Sequence, residues 1–224
     1  MGEGRYHFKD FPHSSHRWLL SRLGQGPLRI LEVGTHTGFL GRELAKRGHT
    51  VVGIEKDPAS AEQARRFYQQ LLEADLDTLP PIPGPAYQVI LFGDVLEHTK
   101  DPQAVLGHLL ASLEPGGKVL VTVPNVAFIL IRLSLLFGWF SYQQRGILDR
   151  DHLRFFTKQS LRSLLSGANL QVLKFIGLPP PLPLFWAGFL RQPWRLAFLM
   201  AAGAARGWPS LWAYQLAAEA RKPQ

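Results

Sequence analysis

Apolar positions along the chain switch repeatedly between short continuous runs and helical spacing, the pattern of a wound α/β sheet. Arg29-Ile30-Leu31-Glu32-Val33 reads as a strand, 38–47 as a helix stopped by Gly48, and 50–55 as a second strand. Residues 57–73 read as a helix with Asp57 as N-cap and Pro58 in its first turn, followed by a weak third strand over 75–79. Residues 87–92 form a buried-type strand, and 101–113 a helix opened by Asp101-Pro102. Pro115-Gly116-Gly117 turns the chain into a strand over 118–123. A leading helix is expected over 13–23, a later helix over 158–165 and a strand over 170–175. Such alternation implies a mostly parallel sheet with helices on both faces and ligands at the carboxyl ends of the strands.

Two segments depart from the alternation. Val126–Phe140 carries one charge, Arg132, and reads either as a helix buried over the sheet or as a lid over an acceptor. Residues 179–209 are rich in Pro and Trp. There Phe185, Trp186, Trp194, Phe198 and Trp208 alternate with Arg191, Arg195 and Arg206, which suits either a membrane interface or packing.

A chain of 224 residues fits one domain with decoration. The lack of cysteine excludes disulfides, thiol nucleophiles and cysteine-ligated zinc, and no metal site is expected. Charge is uneven: residues 1–131 hold 13 Lys/Arg and 14 Asp/Glu, and residues 132–224 hold 12 and 3. The second part therefore suits an acidic partner: a phosphate-bearing substrate, an anionic membrane or nucleic acid. Met1–Asp10 is polar and lacks a signal-peptide core, so the expected location is cytoplasmic, with peripheral contact at the inner membrane surface left open.

The candidate chemistry starts where the first strand runs into Gly34-Thr35-His36-Thr37-Gly38 and a helix. Glycines allow a tight turn and close ligand approach, and the helix start offers free N–H groups. Glu55 ends the second strand, where an acid can accept both hydroxyls of an adenosine ribose. A nicotinamide dehydrogenase would want G-x-G-x-x-G, and the spacing here is E-x-G-x-x-x-G.

Two later segments, residues 87–98 ending in Gly93-Asp94-Val95-Leu96-Glu97-His98, and Leu113-Glu114-Pro115-Gly116-Gly117 running into 118–121, complete the set. Together these motifs resemble those of class I S-adenosylmethionine-dependent methyltransferases. Ser14-Ser15-His16, Val123-Pro124-Asn125, residues 146–157 and residues 211–215 resemble a bacterial subgroup labelled ubiquinone-type or associated with polysaccharide pathways.

The resemblance implies a Rossmann-like α/β fold with a seven-stranded sheet and a last, antiparallel strand at about 211–221. It implies one domain over 1–224, with a helical lead-in over 1–27, an acceptor-side insertion over 124–157 and a second insertion over 179–209. S-adenosylmethionine would be the cofactor and S-adenosylhomocysteine the product. Glu32, Gly34, Thr35 and Gly38 would line its methionine and ribose, Glu55 would hold the ribose, and Lys56, Asp75 and Leu76 would flank the adenine. Gly93 and Asp94 would close the methionine end. His36 stands where many relatives have Gly or Ala.

Methyl transfer needs alignment and exclusion of water, plus a base when the acceptor is a hydroxyl. His98 and His152 are the candidate bases, each with a structural role as the alternative. Arg132, Tyr142, Asp149 and Arg154 are candidate substrate contacts. The acceptor is expected to be a small molecule, saccharide, isoprenoid or lipid-linked compound. Alternatives are an RNA acceptor or cofactor binding without catalysis; base N-methylation is disfavoured because Gly93-Asp94-Val95-Leu96 stands where Asn/Asp-Pro-Pro-aromatic would be expected.

Overall fold

The computed structural model describes residues 9–24, 26–185 and 194–224, so Trp186 and Arg191 of the aromatic and basic stretch lie outside the described residues. A seven-stranded sheet runs β3-β2-β1-β4-β5-β7-β6, with β1 (Arg29–Val33), β2 (Thr50–Glu55), β3 (Gln70–Glu73), β4 (Tyr87–Gly93), β5 (Leu113–Pro124), β6 (Gln171–Leu178) and β7 (Gln215–Arg221). The first five strands pair in parallel. β7 is antiparallel to both β5 and β6, so the last strand is inserted one position in from the edge.

Local chemistry fixes the helix starts. α1 (Ser15–Ser21) is capped by Ser14, α3 (Pro58–Ala64) by Asp57 and α4 (Pro102–Leu110) by Asp101, whose Oδ1 accepts from the amides of Gln103 and Ala104. α6 (Lys158–Gly167) opens with a Thr157–Ser160 capping box. α2 (Phe39–Lys46) has no side-chain cap; it starts at Gly38 in the left-handed region. One face of the sheet packs Leu31, Ile54, Phe92 and Val121 with Leu106 of α4 and Leu161 of α6. The other packs Ile30, Val51 and Leu91 with Leu19 of α1, Leu44 of α2 and Ala61 of α3.

Several boundaries differ from expectation. The helix expected over 57–73 stops at Ala64, passes through a 3₁₀ turn at Arg65–Phe67 and gives way to β3. Residues 75–79, read as a strand, instead hold a 3₁₀ turn at Leu76–Thr78, because the Asp75 side chain caps it by accepting from Asp77 N–H. β5 begins at Leu113 rather than 118, taking in the Pro-Gly-Gly stretch with a register irregularity. β7 begins at Gln215, since Pro209–Trp212 is a helical turn, α9.

The two segments that depart from the alternation differ in burial. α5 (Ile129–Leu136) has no buried residue, against the expectation of a buried helix. After the short α7 (Leu182–Phe185), α8 (Trp194–Gly207) buries Phe198, against Phe11 and His13, with Ala202 and Ala205, while Trp194, Leu196, Leu199 and Met200 stay exposed. Gly177 of β6 permits the approach of α8: a Cβ there would lie 2.0 Å from the Ala205 carbonyl oxygen. Among the described residues no helix is long and apolar enough to cross a membrane.

Candidate functional site

The carboxyl ends of β1, β2 and β4 meet at the glycine turn. Gly34 and Gly38 have φ of +71° and +81°, and each is tightly overlaid: a Cβ on Gly34 would approach Val95 Cγ2 to 2.6 Å, and one on Gly38 would approach Phe67 Cδ2 to 2.8 Å. The Gly34 and Thr35 amides both donate to the Ile54 carbonyl, at 2.8 and 3.1 Å, which locks the turn onto β2. Glu55 then accepts from His36 N–H (2.7 Å), Lys56 N–H (2.9 Å) and Asp57 N–H (3.0 Å). A carboxylate has about four acceptor sites, so a ribose diol must share or displace one of these amides.

His36 also sits in the left-handed region, with φ of +48°, which explains the preference for glycine at this point of the turn. Its ring stacks at 6.0 Å on Phe39, the first residue of α2, and its Nδ1 lies 3.2 Å from Thr37 Oγ1. Burial lowers its pKa. The side chain thus follows its own turn towards α2.

Glu32 is placed beneath the turn. It is buried and accepts a 3.0 Å hydrogen bond from Tyr68 O–H, a partner the sequence did not reveal. Burial pushes its carboxyl up to about 8, with repulsion from Glu55 adding to the rise and the Tyr68 bond opposing it, so it is protonated at neutral pH. Beyond β3 the Ala74 amide donates to the Glu55 carbonyl at 2.9 Å, which sets exposed Asp75 and half-buried Leu76 beside the end of β2. Lys56 is exposed at the same end.

Asp94 follows Gly93 in the left-handed region, with φ of +59°. Its carboxylate is engaged on every side: Lys9 Nζ donates at 2.7 Å, Thr122 Oγ1 at 2.8 Å, and Gln215 Nε2 reaches both oxygens at 2.9 and 2.8 Å. Burial alone would raise its pKa, but the Lys9 cation and these hydrogen bonds outweigh it and leave the group at about 2. The Lys9 amide donates to His16 Nδ1 at 3.0 Å, so burial and the nearby Lys9 cation hold that imidazole neutral, with a pKa of about 4. Lys9, Thr122 and Gln215 escaped sequence reasoning because each is an unremarkable polar residue in a different segment.

The two candidate bases are brought together. The rings of His98 and His152 lie edge to face, 4.8 Å apart. His98 Nδ1 bonds the Asp151 carbonyl at 2.9 Å and His152 Nδ1 the Ile147 carbonyl at 3.0 Å. A carbonyl only accepts, so both Nδ1 atoms carry a proton, and in the neutral ring each Nε2 presents a lone pair. The Glu97 carbonyl accepts from Leu153 and Arg154 N–H, clamping the loop that holds His152 to the end of β4. Burial is the main cause lowering the His98 pKa, and Lys56 adds to it.

Of the candidate substrate residues Asp149 lies beside this pair, its carbonyl accepting from His152 N–H at 3.1 Å, while the two arginines are engaged elsewhere. Arg132 donates to the carbonyls of Ala127 (2.6 Å) and Ser210 (3.2 Å), and Arg154 to that of Lys100, so both guanidiniums are spent on backbone. Asp149 is buried and accepts from Asp151 N–H within the His152 loop; Tyr142 is exposed against Phe140. What does surround the loop is apolar: Phe128, Ile147 and Leu148 form a small core, packed by Ile129 and Ile131 of α5. Beyond it Leu130, Leu133, Leu136, Phe137, Trp139 and Phe140 are exposed.

A methyltransferase-domain family model matches residues 9–174. The ubiquinone biosynthesis O-methyltransferase of Pseudomonas savastanoi pv. phaseolicola is 27% identical over 175 residues, 72% of each chain. That of Paramagnetospirillum magneticum is 31% identical over 121 residues, and there this chain spans about half the relative's length, 49%. Among solved structures, magnesium protoporphyrin IX methyltransferase of Synechocystis with bound S-adenosylhomocysteine superposes with a TM-score of 0.60 at 16% identity, covering 92% of this chain and 80% of that one.

Proposed function

This chain belongs to the S-adenosylmethionine-dependent methyltransferases, and from that premise we propose that it methylates a hydroxyl on an apolar small-molecule or lipid-linked acceptor. The observation that carries the choice of oxygen is the His98–His152 pair at the carboxyl end of β4, with both Nε2 lone pairs available. An amine acceptor needs no base, whereas a hydroxyl does. Relatives at modest identity carrying an O-methyltransferase name support the same reading.

S-adenosylmethionine supplies a methyl group on an already electrophilic sulfonium. Gly34 and Gly38 let the turn fold tightly beneath Val95 and Phe67, and Glu55 is oriented to take the ribose. Asp75, Leu76 and Lys56 stand where an adenine extending past β2 would meet them. Asp94 acts by holding Lys9, and with it the 9–16 segment, across the end of β4. His98 or His152 accepts the acceptor's proton at Nε2. The exposed apolar run from α5 to Phe140 supports an acceptor with an extended apolar part, and its lack of cations beyond Arg132 argues against a nucleic-acid track.

The test is an acceptor panel pairing hydroxyl with amine compounds, each with and without an isoprenoid or lipid tail, read by release of S-adenosylhomocysteine. Turnover is expected for tailed hydroxyls. Turnover confined to amines would overturn the reading.

A further inference from the structure

The most anomalous group in the molecule is Glu97. It is 1% exposed, and among the described residues neither carboxylate oxygen has a hydrogen-bond partner. Burying a carboxylate unpaired is among the costliest arrangements a fold can hold, and such a group calls for an explanation. Among the described residues no neighbouring side chain donates to it. The neighbouring imidazoles, His98 and His152, have each given their only proton to a backbone carbonyl, so they too face inward as acceptors. One ligand atom from each of the three residues lies within 4.8 Å of the others.

A buried carboxyl and two imidazole lone pairs gathered around one point form a donor set complementary to a cation. We propose that Glu97, His98 and His152 bind a divalent transition-metal ion, with open coordination positions for the acceptor's oxygen.

Two further features fit. The Nδ1–H bonds to the carbonyls of Asp151 and Ile147 are the second contacts that ligating histidines ordinarily make, fixing the tautomer and aiming Nε2. Asp94, three residues before Glu97, is excluded as a fourth ligand because Lys9, Thr122 and Gln215 already occupy it. The donor set of two imidazoles and one carboxylate suits zinc, cobalt or manganese and is poor for magnesium or calcium, which prefer all-oxygen shells. Ligands of a tetrahedral zinc stand about 3.4 Å apart, given bonds of about 2.0–2.1 Å, so loading draws the three side chains inward.

The proposal rests on the hydroxyl-acceptor reading for its role, though the site itself does not. With the ion bound, His98 and His152 serve as ligands instead of accepting the proton themselves: a hydroxyl on the ion becomes more acidic and loses its proton to solvent. The oxygen then forms its bond to the methyl carbon as the carbon–sulfur bond breaks, and that electron pair stays on sulfur, giving neutral S-adenosylhomocysteine.

The experiment is titration of the chelator-treated full chain with Co2+ followed by visible absorption, with Zn2+ competition and calorimetry, in the absence of any acceptor. One ion per chain is expected, with at least tenfold weaker binding in Glu97→Gln and in His152→Gln, and with S-adenosylmethionine binding retained in both. Circular dichroism checks that each variant is folded; if one is not, the other reads the same ligand loss. Absence of stoichiometric binding at 100 µM ion (about a hundredfold above a micromolar dissociation constant), or binding unchanged in both variants, would overturn the site. Failure of every hydroxyl acceptor with the ion bound would instead overturn the functional reading and leave the site standing.

Discussion

Lys9 and Asp94, separated by 85 positions in sequence, form a 2.7 Å ion pair that fastens the start of the described chain to the end of β4. The pair is about one-fifth exposed, and Asp94 is bonded by Thr122 and Gln215 as well, so its loss should be felt in both stability and cofactor binding. The Asp94 pKa falls from 3.8 to about 2 on folding, so its stabilisation is present above pH 4 and disappears as pH drops through 2. Asp94→Asn should cost about 2 kcal/mol at pH 7 and little at pH 2. Urea unfolding at several pH values measures this.

Glu32 should behave in the opposite sense. Its folded pKa of about 8 lies above the ordinary 4.5, so the native state binds the extra proton between those values and stability falls as pH rises across that window. Glu32→Gln keeps the shape and removes the proton dependence. The variant should be more stable than the parent at pH 9 by a few kcal/mol at most and close to it at pH 4. Paired thermal melts across pH would show whether the two curves diverge.

His36→Gly removes a left-handed strain of about 1 kcal/mol, which is partly offset by the lost stack on Phe39. Stability should therefore change by less than about 1 kcal/mol. S-adenosylmethionine should bind at least as tightly, since the ring lies along the turn towards α2. Calorimetry on the variant decides; a tenfold loss would mean that the imidazole contacts the cofactor.

Leu136 and Phe137 are 76% and 67% exposed, so changing both to serine should leave stability within about 0.5 kcal/mol per site. The same double variant should turn over a tailed acceptor more slowly while leaving a short, water-soluble analogue unaffected. Equal loss on both acceptors would show that the surface does not meet the acceptor's apolar part.

Strands β1, β2 and β4 and the turn between β1 and α2 were legible because buried parallel strands are continuous apolar runs and the glycines mark the positive-φ positions. β3 was misplaced because Gln70-Leu71-Leu72-Glu73 is a four-residue edge strand whose two leucines also continue the preceding helical spacing. Asp75 then looked like part of a strand, although its side chain caps a turn. In the site, Glu55 and the histidine pair were visible as motif members. The state of Glu97 was not: a carboxylate reads as solvated until the fold shows Leu153 and Arg154 closing over its backbone. Glu97 beside His98, with His152 further on, was the available signal, but the sequence reads the two histidines only as candidate bases and expects no metal.

The most direct measurement is calorimetric titration of the full chain and of Glu55→Ala with S-adenosylmethionine and with S-adenosylhomocysteine. One-to-one binding of both compounds is expected, weakened at least tenfold in the variant. Silence of the wild-type chain towards both at millimolar concentration, or a variant that binds as well as its parent, would contradict the account.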